Sequence, residues 1–381
     1  MDLEVDSFRT SYDDMVYEPE KENGSQGSLS PFTFICLLLV ISLMGLTVLY
    51  SSSYDIAIKK DLEHYAIALL SAIGALAGIA IGIPFRYAGK SILYKASYVL
   101  VPASFAISAY QIAASSPIAL NGIRIASAES VLVFTLCFFL PLLANEEKRR
   151  IKVIILCLIL MLMLLAGGTG CFTIGVAIAF AAFSILGIPR IYSACLILFS
   201  SAIAIASVFA VPSVSEAVFT SFLPVSDPSL FDAGIYSTLQ AVRDGGFLGV
   251  GLGHGLFKLG GIEGIESEYI LCSIAEELGI FGIIAITILF ALLFFVGYRS
   301  ASRSLASGDR MGAVLTISLS FSVFLRLVLY ILHSLALFPS EGMLMPFFSF
   351  GPGDEALNMV SMIIVYRFIH ETGRGMDAKA I

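Results

Sequence analysis

Long apolar runs constrain this chain more than anything else in it. Several reach about 17 to 25 residues, the length that crosses a hydrocarbon core of about 30 Å at 1.5 Å per helical residue. Inside a bilayer the backbone groups must bond to one another, so such runs fold as helices. With 58% hydrophobic residues among 381 and a mean hydropathy of +0.92, no single soluble core would enclose the apolar surface. The expected class is all-α: a polytopic transmembrane helical bundle of about ten spans. They fall near 32–50, 64–84, 92–111, 129–145, 151–167, 172–188, 191–212, 270–297, 311–335 and 356–370.

Charge sets the orientation. Arg86, Lys90, Lys148, Arg149, Arg150, Lys152, Arg190, Arg299, Arg303 and Arg310 occupy alternate loops, and fewer bases occupy the others, so the bias of Lys and Arg toward the cytoplasm gives N-in, C-in. The net charge of −7 is local: residues 1–31 hold eight of the 29 acids and two of the 22 bases, leaving 21 acids and 20 bases elsewhere. That segment, 1–31, reads as a flexible acidic cytosolic tail and 371–381 as a cytosolic C-terminal tail, flanking a membrane domain over 32–370. The first apolar run begins at Phe32 and is long enough to span, which argues against a signal peptide. The six cysteines show no metal-type spacing and read as free thiols.

One external loop, 212–269 between the seventh and eighth spans, is far longer than the rest, and function is expected there. It leads into "IESEYILCSIAEELG", which gathers Glu266, Glu268, Glu276 and Glu277 in a chain only 13% charged. Gly249, Gly251, Gly253 and Gly255 taken alone admit a phosphate-binding turn, but a backbone that must turn tightly is the stronger reading without a βαβ unit. Glu276 and Glu277, about two turns into the eighth span, are expected to be paired or functional, one of them facing a polar cavity. Glu268 and Glu276 stand about 12 Å apart along a helix axis, able to line one cavity without touching. Arg326, near mid-span in the ninth helix, is expected to pair with Glu129, Glu276 or Glu277. His333 reads as a hydrogen-bonded intramembrane histidine rather than a metal ligand.

The string "YSTLQAVRDGGFLGVGLGHGLFKLGGIEGIESEYILCSIAEELGIFG" (236–282) is more specific than its glycines. It resembles the SEDS family, which includes FtsW, RodA and SpoVE, in Gly245, Gly246, Gly249, Gly251, Leu252, Gly253, Lys258, Ile270, Ile274, Ala275, Glu276, Glu277, Leu278, Gly279 and Gly282. A second block, "MPFFSFG" (345–351), resembles the family's LPFxSYGG and contains Ser349. The resemblance leans toward FtsW and a division role, and implies polymerisation of lipid II into glycan strands at the outer face of the cytoplasmic membrane, with undecaprenyl pyrophosphate leaving. It also implies a class B penicillin-binding protein and other divisome proteins as partners, a membrane-lipid environment and no nucleic acid. No cofactor is specified, although a divalent cation is compatible.

Such a transfer needs a base for the sugar hydroxyl, positive charge for the pyrophosphate and an apolar groove. The family's Thr-Asp-Phe aligns with Ser267-Glu268-Tyr269, which makes Glu268 the implied catalytic carboxylate; on its residues alone it reads as solvating the end of the loop. Lys258, Arg124 and Arg243 are candidate pyrophosphate contacts, and Glu129, Glu276, Glu277 and Ser349 candidate lining residues. Glu266 is expected to be solvated. The sequence departs from the family where Gly167–Cys171 replaces QPDLG, where "NGIRIASAESVLV" keeps Arg124 and Glu129 but loses a Trp, a Gln-Pro and a Lys, at His333, and at Pro352-Gly353-Asp354. Two other functions stand beside glycosyl transfer: a lipid-linked precursor flippase or other transporter, for which Arg326 and His333 speak, and a silent scaffold for the transpeptidase, which draws on those departures.

Overall fold

The computed structural model describes residues 31–59, 63–114, 118–120, 123–144, 149–210, 233–260, 262–338 and 343–377. The expected acidic tail before Pro31, much of the first half of the long loop and the last four residues lie outside the described residues. In chain order the elements are α1 (Pro31–Lys59), α2 (Ala66–Tyr87), α3 (Lys90–Ala114), β1 (Ile118–Leu120), β2 (Ile123–Ala126), α4 (Ala128–Phe139), α5 (Arg149–Leu186), α6 (Arg190–Ala210), α7 (Ala233–Gly245), α8 (Ile270–Ala306), α9 (Arg310–Ser334) and α10 (Pro352–Asp377). Except for α7, which lies inside the expected loop 212–269, the helices fall on the expected apolar runs. To the all-α expectation the structure adds one antiparallel hairpin, β1–β2, and it continues α10 into the stretch expected to be a tail.

Six segments among the described residues are long and apolar enough to cross a membrane: Pro31–Tyr54, Ala66–Tyr87, Ser91–Tyr110, Gly167–Leu186, Ile270–Ala306 and Arg310–Ser334. Shorter apolar helices lie at Ala128–Ala144, Ile151–Leu165 and Arg190–Ile203. The most enclosed is α9, 72% buried over its apolar window, and it forms the centre of the bundle. Against it pack α5, α8 and α10, and α8 and α10 also pack on each other. On α2, Gly74, Gly78 and Gly82 recur every fourth residue and lie against Pro352, Ala356 and Ile363 of α10, where a Cβ would collide. Small residues at that spacing let two membrane helices approach closely without a hydrophobic driving force.

Two of the long helices reverse direction at a glycine. In α5 the break is Gly168 (φ 74°, ψ −174°), and Gly175 packs on Leu160 and Met163, contacts that a straight helix would hold far apart. This is the turn expected between the fifth and sixth spans. In α8 the break is Gly279 (φ 67°, ψ −170°). Gly297 faces Ser320 on the antiparallel α9, so counting ten residues outward along each arm sets Thr287 level with Tyr330. The Leu271 N–H nevertheless donates to the Tyr330 hydroxyl at 3.2 Å, so residues 270–278 run back alongside 280–306. The arm 280–306 is long enough to cross a membrane by itself, and where one continuous helix was expected over 270–297 the structure has a reversal, with Glu276 and Glu277 just before it.

Candidate active site

The reversal at Gly279 deprives α8 of its own hydrogen bonds. The carbonyls of Glu276 and Glu277 and the N–H groups of Ile280 and Phe281 would pair with one another in an unbroken helix. Instead Val250 N and Gly251 N donate to Glu276 O and Glu277 O at 2.9 and 3.0 Å, while Ile280 N and Phe281 N donate to Gly246 O and Phe247 O at 3.0 Å each. The glycine-rich segment is thus a second strand of backbone fitted to a broken helix. Gly249 (φ 74°) turns so close that a Cβ would lie 2.5 Å from the Glu277 carbonyl carbon. Tight turning, rather than phosphate binding, accounts for the glycines.

The same segment consumes the carboxylates. Glu276, buried, accepts from Leu256 N at 2.6 Å and Phe257 N at 3.1 Å, capping the short 3-10 turn Phe257–Gly260. Glu277 accepts from Lys258 Nζ at 2.8 Å and from Ser51 Oγ on α1 at 2.7 Å. Lys258 also donates to Ser51 Oγ and to Gly253 O, each at 3.0 Å. An ammonium has three donors. All three are engaged, so Lys258 in this arrangement has none left for a pyrophosphate.

Glu268 lies on a half-buried turn, 264–269, whose backbone is fastened from three directions. Phe350 N donates to Glu266 O at 2.7 Å, Ser349 Oγ to Ser267 O at 2.6 Å, and the Tyr330 hydroxyl to Glu268 O at 3.0 Å. Within the turn, Ser267 N and Tyr269 N donate to Gly264 O at 2.9 and 3.0 Å, with Gly264 at φ 79°. Ser349 also accepts from Met345 N at 2.9 Å. It therefore joins the loop 343–351 to the turn carrying Glu268. That loop reaches into the bundle, since the Phe347 carbonyl packs on Gly45 of α1, and Phe347 holds φ 66°, a left-handed conformation seldom adopted by a side chain of that size. Glu266, expected to be solvated, instead has its Oε2 enclosed without a hydrogen-bond partner among the described residues.

A second polar cluster lies deeper. Arg326 Nε stands 3.3 Å from Glu129 Oε1, Nη1 donates to Asn358 Oδ1 at 2.9 Å and Nη2 to Ser130 Oγ at 2.8 Å. Of the three acids considered for Arg326, the partner is Glu129. Next to it Asp354 accepts from Ser127 N and Ser127 Oγ at 3.0 and 2.7 Å, tying the N-terminus of α10 to the cap of α4 and so to the hairpin that carries Arg124. Arg124 pairs with Ala119 in that hairpin. Arg243, in the last turn of α7, is exposed. His333 is buried, and no three His, Cys, Asp or Glu side chains converge as metal ligands among the described residues.

Glu268 and Ser349 thus meet at one turn, Lys258 and Glu277 at another with Glu276 beside them, and Glu129 belongs to the deeper cluster. The sequence reading missed Ser51, Tyr330 and Asp354. Ser51 opens a run of three serines within an apolar helix, and that run was the available signal. Tyr330 has no local signal, because its partner is 62 residues away.

The family model for FtsW, RodA and SpoVE, described as a cell cycle protein, matches residues 31–374. A probable peptidoglycan glycosyltransferase FtsW of Borreliella burgdorferi is 34% identical over 142 residues, 37% of this chain and 38% of the relative. A peptidoglycan glycosyltransferase RodA of Mycobacterium tuberculosis is 27% identical over 156 residues, 41% of this chain and 32% of the relative. The chain spans about two-fifths or less of the length of these curated relatives. Among solved structures, a chain from a peptidoglycan synthase complex coordinating polymerization and crosslinking aligns with TM-score 0.65 at 17% identity, covering 89% of this chain and 97% of the other. The rod shape determining protein RodA of Thermus thermophilus aligns with TM-score 0.57 at 14% identity, covering 88% and 96%. At those identities the likeness is one of fold.

Proposed function

Because the chain belongs to the FtsW, RodA and SpoVE family of cell cycle proteins, we propose that it is a peptidoglycan glycosyltransferase, polymerising lipid II at the outer face of the cytoplasmic membrane during cell division. A class B penicillin-binding protein is its partner, a reading supported by the fold shared with a chain of a peptidoglycan synthase complex. The curated relatives named as glycosyltransferases support the activity.

The observation that carries the reading is the fastening of the turn under Glu268. A base must be aimed before the reaction begins, because misplacement by about 1 Å costs on the order of 10²-fold. Here Phe350, Ser349 and Tyr330 hold three successive carbonyls of that turn and leave the Glu268 side chain half-buried at its rim. In the proposed reaction the Glu268 carboxylate takes the proton of the acceptor sugar hydroxyl. The hydroxyl oxygen bonds to the donor's anomeric carbon, and the glycosyl–phosphate bond breaks with its electron pair leaving on undecaprenyl pyrophosphate. Arg243 and Arg124 are the cations assigned to that departing charge. Lys258 holds Glu277 and the glycine segment in place. No step is assigned to a metal.

The test is lipid II polymerisation by the full-length protein with its coexpressed transpeptidase. Glu268→Gln should lower the rate by about 10²- to 10⁴-fold. Glu268→Asp, which restores the family's usual residue, should retain a substantial part, and Glu263→Gln, at an exposed residue, should match the wild type. Long strands made by Glu268→Gln would remove the assignment. Growth supported by that variant without strand synthesis would install the scaffold reading instead.

A further inference from the structure

At the end of the bundle where α1 begins, α2 and α10 line a half-open cavity of about 330 Å³, with Arg86, Tyr87, Arg367, His370 and Glu371 around it. Its charges are unequally committed. Arg367 donates to Phe85 O and to Glu371 Oε1, both at 2.8 Å, so the one carboxylate in the lining already has a cation. Arg86 has no hydrogen-bond acceptor among the described residues. Its guanidinium is held by ring faces alone, 5.7 Å from Tyr87 and 5.1 Å from Tyr366. A guanidinium stacked on aromatic rings keeps its N–H edge free for two parallel bonds to a phosphate or carboxylate.

The surface leading to the cavity is one that lipid covers. Along α2 the exposed residues Ile73, Leu76, Ile79, Ile81 and Ile83 are all apolar, and the pattern stops at Arg86 and the exposed Tyr87. Apolar surface giving way to an aromatic and a base at a helix end marks the depth of the head groups. The N-in orientation expected from the loop charges makes this the cytoplasmic leaflet.

We propose that this cavity binds the phosphate of an anionic phospholipid of that leaflet, with Arg86 as the principal contact. The lipid fits better than a soluble phosphate because Arg86 and Tyr87 of the lining end the same helix whose exposed residues are apolar, the surface on which acyl chains would lie. Arg299 provides a contrast: it too stacks on an aromatic ring, Phe295 at 5.0 Å, but it does not line this cavity.

The experiment is native mass spectrometry of the full-length protein released from micelles containing phosphatidylglycerol, phosphatidylcholine, or neither lipid with inorganic phosphate. The wild type should retain phosphatidylglycerol about tenfold better than phosphatidylcholine, whose phosphate offers Arg86 the same oxygens but whose choline cation meets a lining with two arginines and one carboxylate. Arg86→Gln should erase that preference and Arg299→Gln should not. If Arg86→Gln is not recovered folded, His370→Glu, which adds a second carboxylate to the lining, should erase it in its place. Equal loss in the Arg86 and Arg299 variants would reduce the effect to surface charge and overturn the proposal. Displacement of the lipid by millimolar inorganic phosphate would overturn the lipid assignment, and an unaltered preference in both cavity variants would overturn the site.

Discussion

Gly168 and Gly279 break their helices with almost the same backbone, φ 74°, ψ −174° and φ 67°, ψ −170°, yet the two breaks have different consequences. At Gly168 the two arms of α5 pack on each other, Gly175 against Leu160 and Met163, and the break is a connection between two helices. At Gly279 the groups set free are taken up by residues 246–251, which come from a different part of the chain. A polar backbone group left unpaired away from water costs several kcal/mol, so a broken helix in a membrane protein must find a partner. Where a long loop supplies it, the break also becomes a place to build a site.

Substituting alanine at each glycine tests that contrast, and the largest effect is expected at Gly279. There the left-handed φ is strained by any side chain, and an added Cβ would also lie 2.5 Å from Gly249 N. Strain and overpacking together should cost Gly279→Ala about 3 kcal/mol or more and uncouple the glycine segment. Gly168→Ala should cost about 1–2 kcal/mol from φ alone. Thermal unfolding in detergent measures both. Equal losses would mean that the glycine segment adds nothing to the second break.

The next effect concerns what the segment carries. Lys258→Met leaves Glu277 buried with Ser51 as its remaining side-chain partner and should cost about 3 kcal/mol, as breaking a buried pair does. The double variant Lys258→Met, Glu277→Leu should be the more stable of the two, because no charge is stranded. If the single variant is instead fully stable but fails to polymerise lipid II, Lys258 acts on the substrate.

Hydropathy placed the long helices well, because a run such as 310–334 is apolar enough in the mean to be held as a helix despite Arg326 and His333. It also put a turn at Gly168, where the expected spans end at 167 and resume at 172. It read straight through Gly279, since residues 270–297 are apolar in the mean despite Glu276 and Glu277, and an average over that length barely registers one glycine. The acids were conspicuous for the correct reason, their rarity, but their partners lay elsewhere. Glu277 meets Ser51 from 226 positions away, and Ser267 meets Ser349 from 82. Periodicity reports neighbours three or four residues apart, so contacts of that range were beyond it. Arg326 was narrowed to three acids and settled on Glu129 by the packing of α4 on α9.

The smallest effect on stability tests the turn under Glu268, and it separates that turn from both breaks. Tyr330→Phe and Ser349→Ala each remove a hydroxyl that donates to a carbonyl of the turn, at Glu268 and Ser267. Each should cost only about 1 kcal/mol of stability, the usual net value of one hydrogen bond. The rate should suffer more than the stability, since Glu268 would remain but its turn would be free to shift. A fall of about 10-fold or more in kcat with KM little changed is expected, because the bond orients a reacting group rather than binding substrate. The pair also discriminates between them. Tyr330 additionally accepts from Leu271 N, so its loss loosens the start of the returning arm 270–278, whereas Ser349 additionally accepts from Met345 N and its loss loosens the loop 343–351. Equal rate losses from two unrelated supports would locate the effect in the turn they share; a loss confined to Tyr330→Phe would move it to the returning arm, and with it the catalytic importance of the break at Gly279.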